Sequence, residues 1–236
     1  MQVKDIFEML SHGEFSQIKL GGEDGLIDPT NHKKILSHIN LGLLVLYKRF
    51  ALKNGTVQFK LLNKVTIYSL EEDNDLQFIS NPEEDDFNGG VLKISRVLTD
   101  SGRELHLNDN KQEWSCHTPT PTKLVVPKLM VTLGAELPDE YKTDSLIVDY
   151  VAKHPVLSNK SNIPNLFLEL PETHIEPLLY YVAARVFTPL GLANNEGKDS
   201  NKYYAMFEAA CQQLEVQNYE IDQVVTNTRA SRNGWV

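Results

Sequence analysis

Residues 173–216 read THIEPLLYYVAARVFTPLGLANNEGKDSNKYYAMFEAACQQLEV, and this stretch decides the fold. In its first half, large apolar side chains recur three and four residues apart, a spacing that aligns them on one face of a helix. These side chains are Ile175, Leu178, Leu179, Val182, Val186 and Phe187. The second half repeats the spacing at Tyr204, Phe207, Cys211 and Leu214. Pro189 and Gly191 are expected to end the first helix. Since each apolar face needs a partner that excludes water, the stretch predicts an antiparallel helical hairpin.

Two more helices are predicted before residue 51. Val3, Ile6, Phe7 and Leu10 have helical spacing, and this short helix is expected to end near Gly13. A longer helix is expected to begin at Asp28-Pro29, which supplies an N-cap side chain and a proline in the first turn. Its apolar positions are Ile35, Leu36, Ile39, Leu43, Leu46 and Phe50. The cations of Lys48 and Arg49 then fall in its last turn, where the helix dipole favours them.

Between these helices the pattern changes to short β-strands. The clearest strand patterns cover residues 56–61, 65–68, 91–98, 104–107 and 145–151, and weaker ones cover 114–117, 123–126, 130–133 and 167–170. Two acidic runs, at 71–75 and 83–86, are predicted to be loops. The fold class is therefore α+β. A helical bundle is expected from residues 1–51 and 171–216, with a β-rich insertion at 52–170.

The last segment, 217–236, is predicted to be an extended arm, because it is too polar and irregular for a helix. It nevertheless keeps spaced apolar residues and two arginines, and Arg and Trp are common at interfaces. The predicted partner-binding residues are Tyr219, Ile221, Val224, Val225, Arg229, Arg232 and Trp235. The alternative, a disordered terminus, stays open at this point.

Composition excludes several classes of function. The 236 residues contain 23 Lys and Arg against 32 Asp and Glu, a formal net charge of −9. This balance disfavours a DNA-wrapping or membrane-surface protein, because phosphate neutralisation needs clustered cations. No apolar run approaches the roughly 18–20 residues of a membrane span, and the first residues lack the pattern of a signal peptide. The two cysteines, Cys116 and Cys211, suggest a reducing compartment rather than a disulfide framework.

No motif in the sequence indicates a catalytic, metal or cofactor site. The seven histidines are scattered without the i, i+4 spacing of a zinc site. The glycine loop at 21–25 contains two acids and lacks the lysine of a phosphate-binding loop. One enzymatic alternative remains: a small cytoplasmic enzyme with a site in the β block around His106, Glu113 and His117.

Four segments resemble a family of phage structural proteins. They are INLGLLVLYKRF at 39–50, LPE at 170–172, LLYYVAARV at 178–186 and KYYAMFE at 202–208. Together with the helix–strand–helix order, they are similar to the head-to-tail connector (adaptor) proteins of tailed bacteriophages. That group includes the tail tubular protein A type of short-tailed phages.

The resemblance implies a non-enzymatic virion protein without a cofactor. It implies a ring, usually of twelve copies, beneath the portal protein and above a tail tube or nozzle protein. Genomic DNA would pass through the lumen without sequence-specific binding, and the C-terminal arm would reach the portal or a neighbouring subunit. An acidic lumen would let DNA slide rather than hold it. Another neck or tail structural protein remains the alternative within the same class.

Overall fold

The structure is a computed structural model that describes residues 1–16, 27–71, 78–79, 87, 89–112, 114–132, 134, 136–158, 162–194 and 198–225. The helices are α1 (Val3–His12), α2 (Pro29–Phe50), α3 (Ile175–Asn194) and α4 (Lys198–Val225). The strands are β1 (Asn54–Lys60), β2 (Ile67–Ser69), β3 (Phe78–Ile79), β4 (Val91–Thr99), β5 (Glu104–Leu105), β6 (His117–Thr120), β7 (Lys123–Val125) and β8 (Ser145–Ala152). Short 3-10 helices cover Lys128–Val131, Asp139–Tyr141, Ile163–Asn165 and Glu172–His174.

The predicted α+β class is confirmed by these helices and two antiparallel sheets. The chain divides into two compact units. One, the helical unit, comprises residues 1–46 and 156–236, and the other, the β unit, comprises residues 47–155.

In the helical unit, α1 is closed against the segment that leads into α3. The Val3 amide donates to the Leu166 carbonyl and the Leu168 amide donates to the Met1 carbonyl, both at 2.9 Å. Val3, Ile6, Phe7 and Leu10 are buried, as the helical spacing predicts. Residues 167–170, predicted as a short strand or an extended lead into the hairpin, form a single bridge, between Gln2 and Phe167.

The predicted hairpin of α3 and α4 is confirmed as antiparallel by its ring contacts. Phe187 stacks on Tyr203 with centroids 5.2 Å apart, and Tyr181 meets Phe207 edge-on at 5.3 Å. Phe207 and Cys211 are buried on the α3 side of α4. The prediction that Tyr204 shares this buried face is wrong, because its side chain is 53% exposed. Its position three residues before Phe207 rotates it to the flank of the buried stripe.

The predicted stop of the first hairpin helix at Pro189 and Gly191 is wrong, since α3 continues to Asn194. A proline inside a helix removes one amide donor and crowds the preceding turn. The carbonyl that loses its helical donor at Pro189 is that of Arg185, and one residue earlier two side-chain hydroxyls add donors to the same turn. The Ala184 carbonyl accepts hydrogen bonds from Thr188 Oγ1 at 2.7 Å and from Ser200 Oγ at 3.1 Å.

The boundary of the predicted C-terminal arm also needs correction. Helix α4 runs on to Val225, so residues 217–225 are helical rather than extended. This segment contains no glycine or proline, and its apolar residues Leu214, Ile221 and Val225 follow at seven and four positions, which is a helical spacing. The rest of the predicted arm, 226–236, lies outside the described residues.

Strand β8 is the centre of the β unit. The larger sheet has the order β3-β1-β8-β4-β5, and β8 pairs with β1 from Asn54↔Val151 to Lys60↔Ser145. On its other side β8 pairs with β4, whose register shifts twice between Val91 and Arg96. Leu146 and Val148 of β8 are fully buried, as expected of a central strand rich in β-branched and aliphatic residues.

The smaller sheet has the order β2-β7-β6 and covers the same apolar core. Pro119 lies in the edge strand β6, where its missing amide breaks no inner ladder. The strand predicted at 130–133 is wrong. Residues 128–131 form a 3-10 turn that buries Met130 and Val131 after Pro127, and residue 133 lies outside the described residues.

Candidate assembly surfaces

Helix α2 carries apolar side chains on two of its faces. Its inner face buries Ile35, Leu36, Ile39, Leu43 and Leu46. A second set, Lys34, Ser37, Leu41 and Leu44, recurs at spacings of three and four and is exposed. Leu41 and Leu44 are 38% and 42% exposed. We name this second set the α2 stripe.

Two contacts of α2 fix which of its faces is turned outward. A Cβ built on Gly42 would lie 2.6 Å from Leu178 Cδ1 and 3.0 Å from Tyr181 Cδ1, so this side of α2 lies directly against α3. Asn40 donates through Nδ2 to the Leu157 carbonyl at 3.1 Å and accepts from the Leu157 amide at 2.9 Å. With these sides occupied, the α2 stripe faces solvent.

Helix α4 has a corresponding outward flank. Tyr204, Glu208, Gln212 and Glu215 recur at four, four and three positions and lie on one side of the helix. Tyr204 is exposed, Glu208 is half-buried, and Gln212 and Glu215 are exposed. Val216, next to this set, is 59% exposed. We name the set of four the α4 stripe.

A polar cluster lies inside the helical unit, where α1 ends. Burial and the nearby Glu176 carboxylate raise the pKa of Glu14, whose Oε2 atom has no hydrogen-bond partner among the described residues. Tyr180 donates to Glu176 Oε1 at 2.7 Å, and this hydrogen bond, more than burial, raises the pKa of Tyr180 to about 12. Tyr203 donates to the Glu14 carbonyl at 3.3 Å. The cluster keeps the carboxyls and phenols of three elements together, which is a structural role.

His38 is another titratable side chain inside this unit with unsatisfied atoms. Neither of its ring nitrogens has a hydrogen-bond partner in the part of the chain that the structure describes. Burial, followed by the cations of Arg185 and Lys34, lowers the pKa of His38. The imidazole is therefore neutral at pH 7.

The predicted partner-binding residues fall on both sides of the end of the described chain. Tyr219, Ile221, Val224 and Val225 belong to the last turns of α4, where the structure describes the backbone alone. Arg229, Arg232 and Trp235 lie outside the described residues. Their binding role stays a prediction.

The β unit brings together two of the three residues of the enzymatic alternative, but only through their backbone. The His106 carbonyl accepts from the Cys116 amide at 2.8 Å, which places His106 beside the start of β6 and its first residue, His117. Glu113 lies outside the described residues. Cys116, next to His117, is buried, and burial raises the pKa of its thiol to about 12, so it is a poor nucleophile.

The described residues contain no group of three or more His, Cys, Asp or Glu side chains that could hold a metal ion. None of the helices, as far as they are described, is long and apolar enough to cross a membrane.

Sequence reasoning missed the α2 and α4 stripes as surfaces. A signal for the first was present: residues 35–46 carry more apolar side chains than one buried face can take. For the second, Tyr204 was assigned to the core because its spacing from Phe207 fits a helix.

Comparison with known proteins gives one family match. The model of the family described as SU10 adaptor protein matches residues 17–232 of the 236. The match covers residues 17–46 and 156–232 of the helical unit and the whole β unit, and α1 lies before it. A search of curated proteins finds no match.

Proposed function

The chain belongs to the SU10 adaptor protein family, a family of phage head-to-tail adaptors, and from this premise we propose that it forms a ring between portal and tail. As a member, it is a structural protein of a phage particle. The proposal adds that the ring, of twelve copies, joins the portal protein to a tail tube or nozzle protein of a short-tailed phage. Genomic DNA passes through its lumen.

The family match carries this proposal, and the helical unit supports it. A protein that repeats around an axis needs two different surfaces, because a head-to-tail contact joins one patch to another. The α2 stripe and the α4 stripe are two such exposed surfaces on different helices.

The charge of the chain supports passage of DNA without retention. With a formal net charge of −9, the protein as a whole repels phosphate, and non-specific DNA binding depends on clustered cations. A lumen lined by like charge leaves the genome free to move. The ring is therefore a conduit in this proposal, and sequence-specific DNA binding is not part of it.

The docking element of the proposal is the end of the chain after α4. Residues 226–236 contain Arg229, Arg232 and Trp235 and follow directly on a helix that reaches Val225. Arginine and tryptophan contribute strongly to many interfaces. We propose that this segment, with Tyr219, Ile221, Val224 and Val225 of the last turns of α4, binds the portal protein or the neighbouring subunit.

The first experiment images the particle from which the protein comes. Electron microscopy of these particles, with the protein tagged by a bound antibody fragment, should show it as a ring at one vertex between head and tail. Label distributed over the head surface, or found at the distal end of the tail, would contradict the adaptor role.

A second experiment tests the docking element with the purified portal protein. A chain ending at Val225 keeps all described helices and should retain its circular dichroism while losing portal binding in a pull-down. Trp235→Ala with Arg232→Glu should weaken the binding in the full-length chain. The matched control is Lys111→Glu with Lys123→Glu, which changes charge on the β unit. If the truncated chain binds the portal as well as the full chain does, the segment is not the docking element.

A further inference from the structure

The geometry of the two exposed stripes points to the contact by which neighbouring copies assemble. We propose that the α2 stripe of one copy packs against the α4 stripe of the next, with the two helices antiparallel. The inference rests on the proposed ring, and it names the surfaces that the ring would use. The molecule that covers each stripe is a second copy of this chain.

Charge complementarity is the first argument. Helix α2 contains Lys33, Lys34, Lys48 and Arg49 and no aspartate or glutamate. From Tyr203 to its end, α4 contains Glu208, Glu215, Glu220 and Asp222 and no lysine or arginine. Complementary potentials select the correct partner surface and disfavour contacts between like surfaces. Two α2 stripes would repel each other, and so would two α4 stripes, which favours a head-to-tail contact over a two-fold one.

The apolar content of the stripes is the second argument. A single exposed leucine is ordinary on a protein surface. Leu41 and Leu44, however, are neighbours one turn apart within a polar surround, and Tyr204 is exposed in a similar setting on α4. An apolar centre with a charged rim is the usual composition of a protein–protein interface, where tyrosine is enriched.

The spacing along the two helices gives the register. Leu44 follows Lys34 by ten residues, and Glu215 follows Tyr204 by eleven, which corresponds to about 15 Å and about 16.5 Å of helix axis. In an antiparallel pair, placing Leu44 opposite Tyr204 therefore places Lys34 opposite Glu215. Ser37 then faces Gln212 and Leu41 faces the half-buried Glu208, so that three of the four pairs match in kind or in charge.

The alternative partner for the α2 stripe is nucleic acid. A surface for the DNA backbone presents cations along its length, because affinity comes from phosphate neutralisation. Half of the α2 stripe consists of leucines, which gain nothing from phosphate. A protein partner with apolar and acidic side chains can contact both the leucines and the lysine of the α2 stripe.

The test is a charge exchange between two variants. Variant A carries Lys33→Glu and Lys34→Glu, and variant B carries Glu208→Lys and Glu215→Lys. In A alone both stripes are acidic, and in B alone both are basic, so each should require at least about tenfold higher concentration to assemble than the wild type. In an equimolar mixture, the acidic α2 of A meets the basic α4 of B, and the basic α2 of B meets the acidic α4 of A. The mixture should assemble into rings in which A and B alternate.

Assembly is measured by light scattering on a size-exclusion column and by negative-stain microscopy, with thermal unfolding to establish that A and B fold. Rings from A alone and B alone at the wild-type concentration would overturn the inference while leaving the ring intact. If A assembles normally but loses salt-dependent retention of double-stranded DNA, the α2 stripe faces DNA and the inference is wrong. A wild-type chain that never assembles, even with portal protein present, would count against the proposed ring itself.

A second measurement does not depend on the charge variants. The pair Leu44→Cys with Tyr204→Cys should give disulfide-linked multimers on a non-reducing gel under mild oxidation. The control pair Leu44→Cys with Glu215→Cys, whose thiols the antiparallel register keeps apart, should give at least about tenfold less product. Equal product from both pairs, or none from either in assembled rings, would overturn the antiparallel contact.

Discussion

Gly42 of α2 lies so close to Leu178 of α3 that a Cβ atom on Gly42 would come within 2.6 Å of the Leu178 Cδ1 atom. Leu178 is fully buried, so its side chain has little room to move away. A glycine in the middle of a helix costs about 1 kcal/mol relative to alanine. Glycine occurs at this position despite that cost, because the absence of a Cβ atom allows the two helices to approach closely.

Replacement of Gly42 by alanine should therefore fail to stabilise the protein. We expect Gly42→Ala to lower the free energy of unfolding, despite the helix propensity it gains. In the background of Leu178→Ala, which itself costs about 2–5 kcal/mol, the same change should become favourable by up to about 1 kcal/mol. Urea unfolding of the four proteins of this cycle measures the coupling. Equal effects of Gly42→Ala in both backgrounds would contradict the steric explanation.

Replacement of Asn40 by aspartate, which has nearly the same shape, should lower the stability of the protein. In Asn40→Asp, the Leu157 carbonyl loses its donor and faces a carboxylate instead, which should cost about 1–3 kcal/mol. Unfolding in denaturant measures the loss. The same change at exposed Asn201 in the first turn of α4 serves as the control, and it should leave stability unchanged or raise it, because acids are favourable near a helix N-terminus.

Asp149 joins three strands of the larger sheet. Its carboxylate accepts from Thr56 Oγ1 of β1 at 2.8 Å and from Arg96 Nε of β4 at 2.9 Å. Asp149→Asn keeps one acceptor and loses the charge, so we expect a loss of about 0.5–1 kcal/mol in unfolding free energy. Salt should reduce the difference between the two proteins. Asp139→Asn, at an exposed pair with Lys142, should have no measurable effect.

His38 should make the protein less stable in mild acid. Since the pKa of His38 is lowered in the folded state, the unfolded chain binds a proton more readily, and stability is lost as pH falls below about 6.5. Both His38→Gln and His38→Leu remove this proton-binding site, so their unfolding free energies should decrease less than that of the wild type between pH 7 and pH 5. Parallel pH profiles for wild type and both variants would show that His38 is accessible to protons when folded.

The two cysteines should be unreactive in the native protein. Cys116 and Cys211 are fully buried, and the thiol of Cys116 has its pKa raised to about 12. With an aromatic disulfide reagent at pH 8, both should react at least about a hundredfold more slowly than in guanidinium chloride. Rapid reaction of one thiol under native conditions would instead indicate an accessible thiolate, and in the β unit it would revive the enzymatic alternative.

Local patterns in the sequence were sufficient to predict helices and the central strand. Val3 to Leu10, the start at Asp28-Pro29 and the run 145–151 each combine a clear period with flanking signals, and the structure has α1, α2 and β8 there. The resemblance to adaptor proteins, taken from helical segments, agrees with the family match over residues 17–232.

Features that depend on distant contacts were not predictable in this way. In the helical turn before Pro189, the Ala184 carbonyl accepts a hydrogen bond from the hydroxyl of Ser200, which belongs to another helix. Strands β1 and β2 are neighbours in sequence but lie in different sheets, because β1 pairs with β8, which lies 85 or more residues later in the chain. The exposure of Leu41 and Tyr204 depends on which helix covers which face, and periodicity alone does not contain that information.

The two backbone bonds that close α1 against residues 166–168 have a consequence for synthesis on the ribosome. The whole β unit has been translated by residue 155, whereas residues 166–168, to which α1 is hydrogen-bonded, have not. The inserted unit can therefore complete its sheets during translation, since domains generally fold as units. The helices that carry the two stripes become a finished surface only after α3 and α4 have been translated, so association of nascent chains through both stripes has to wait for that point.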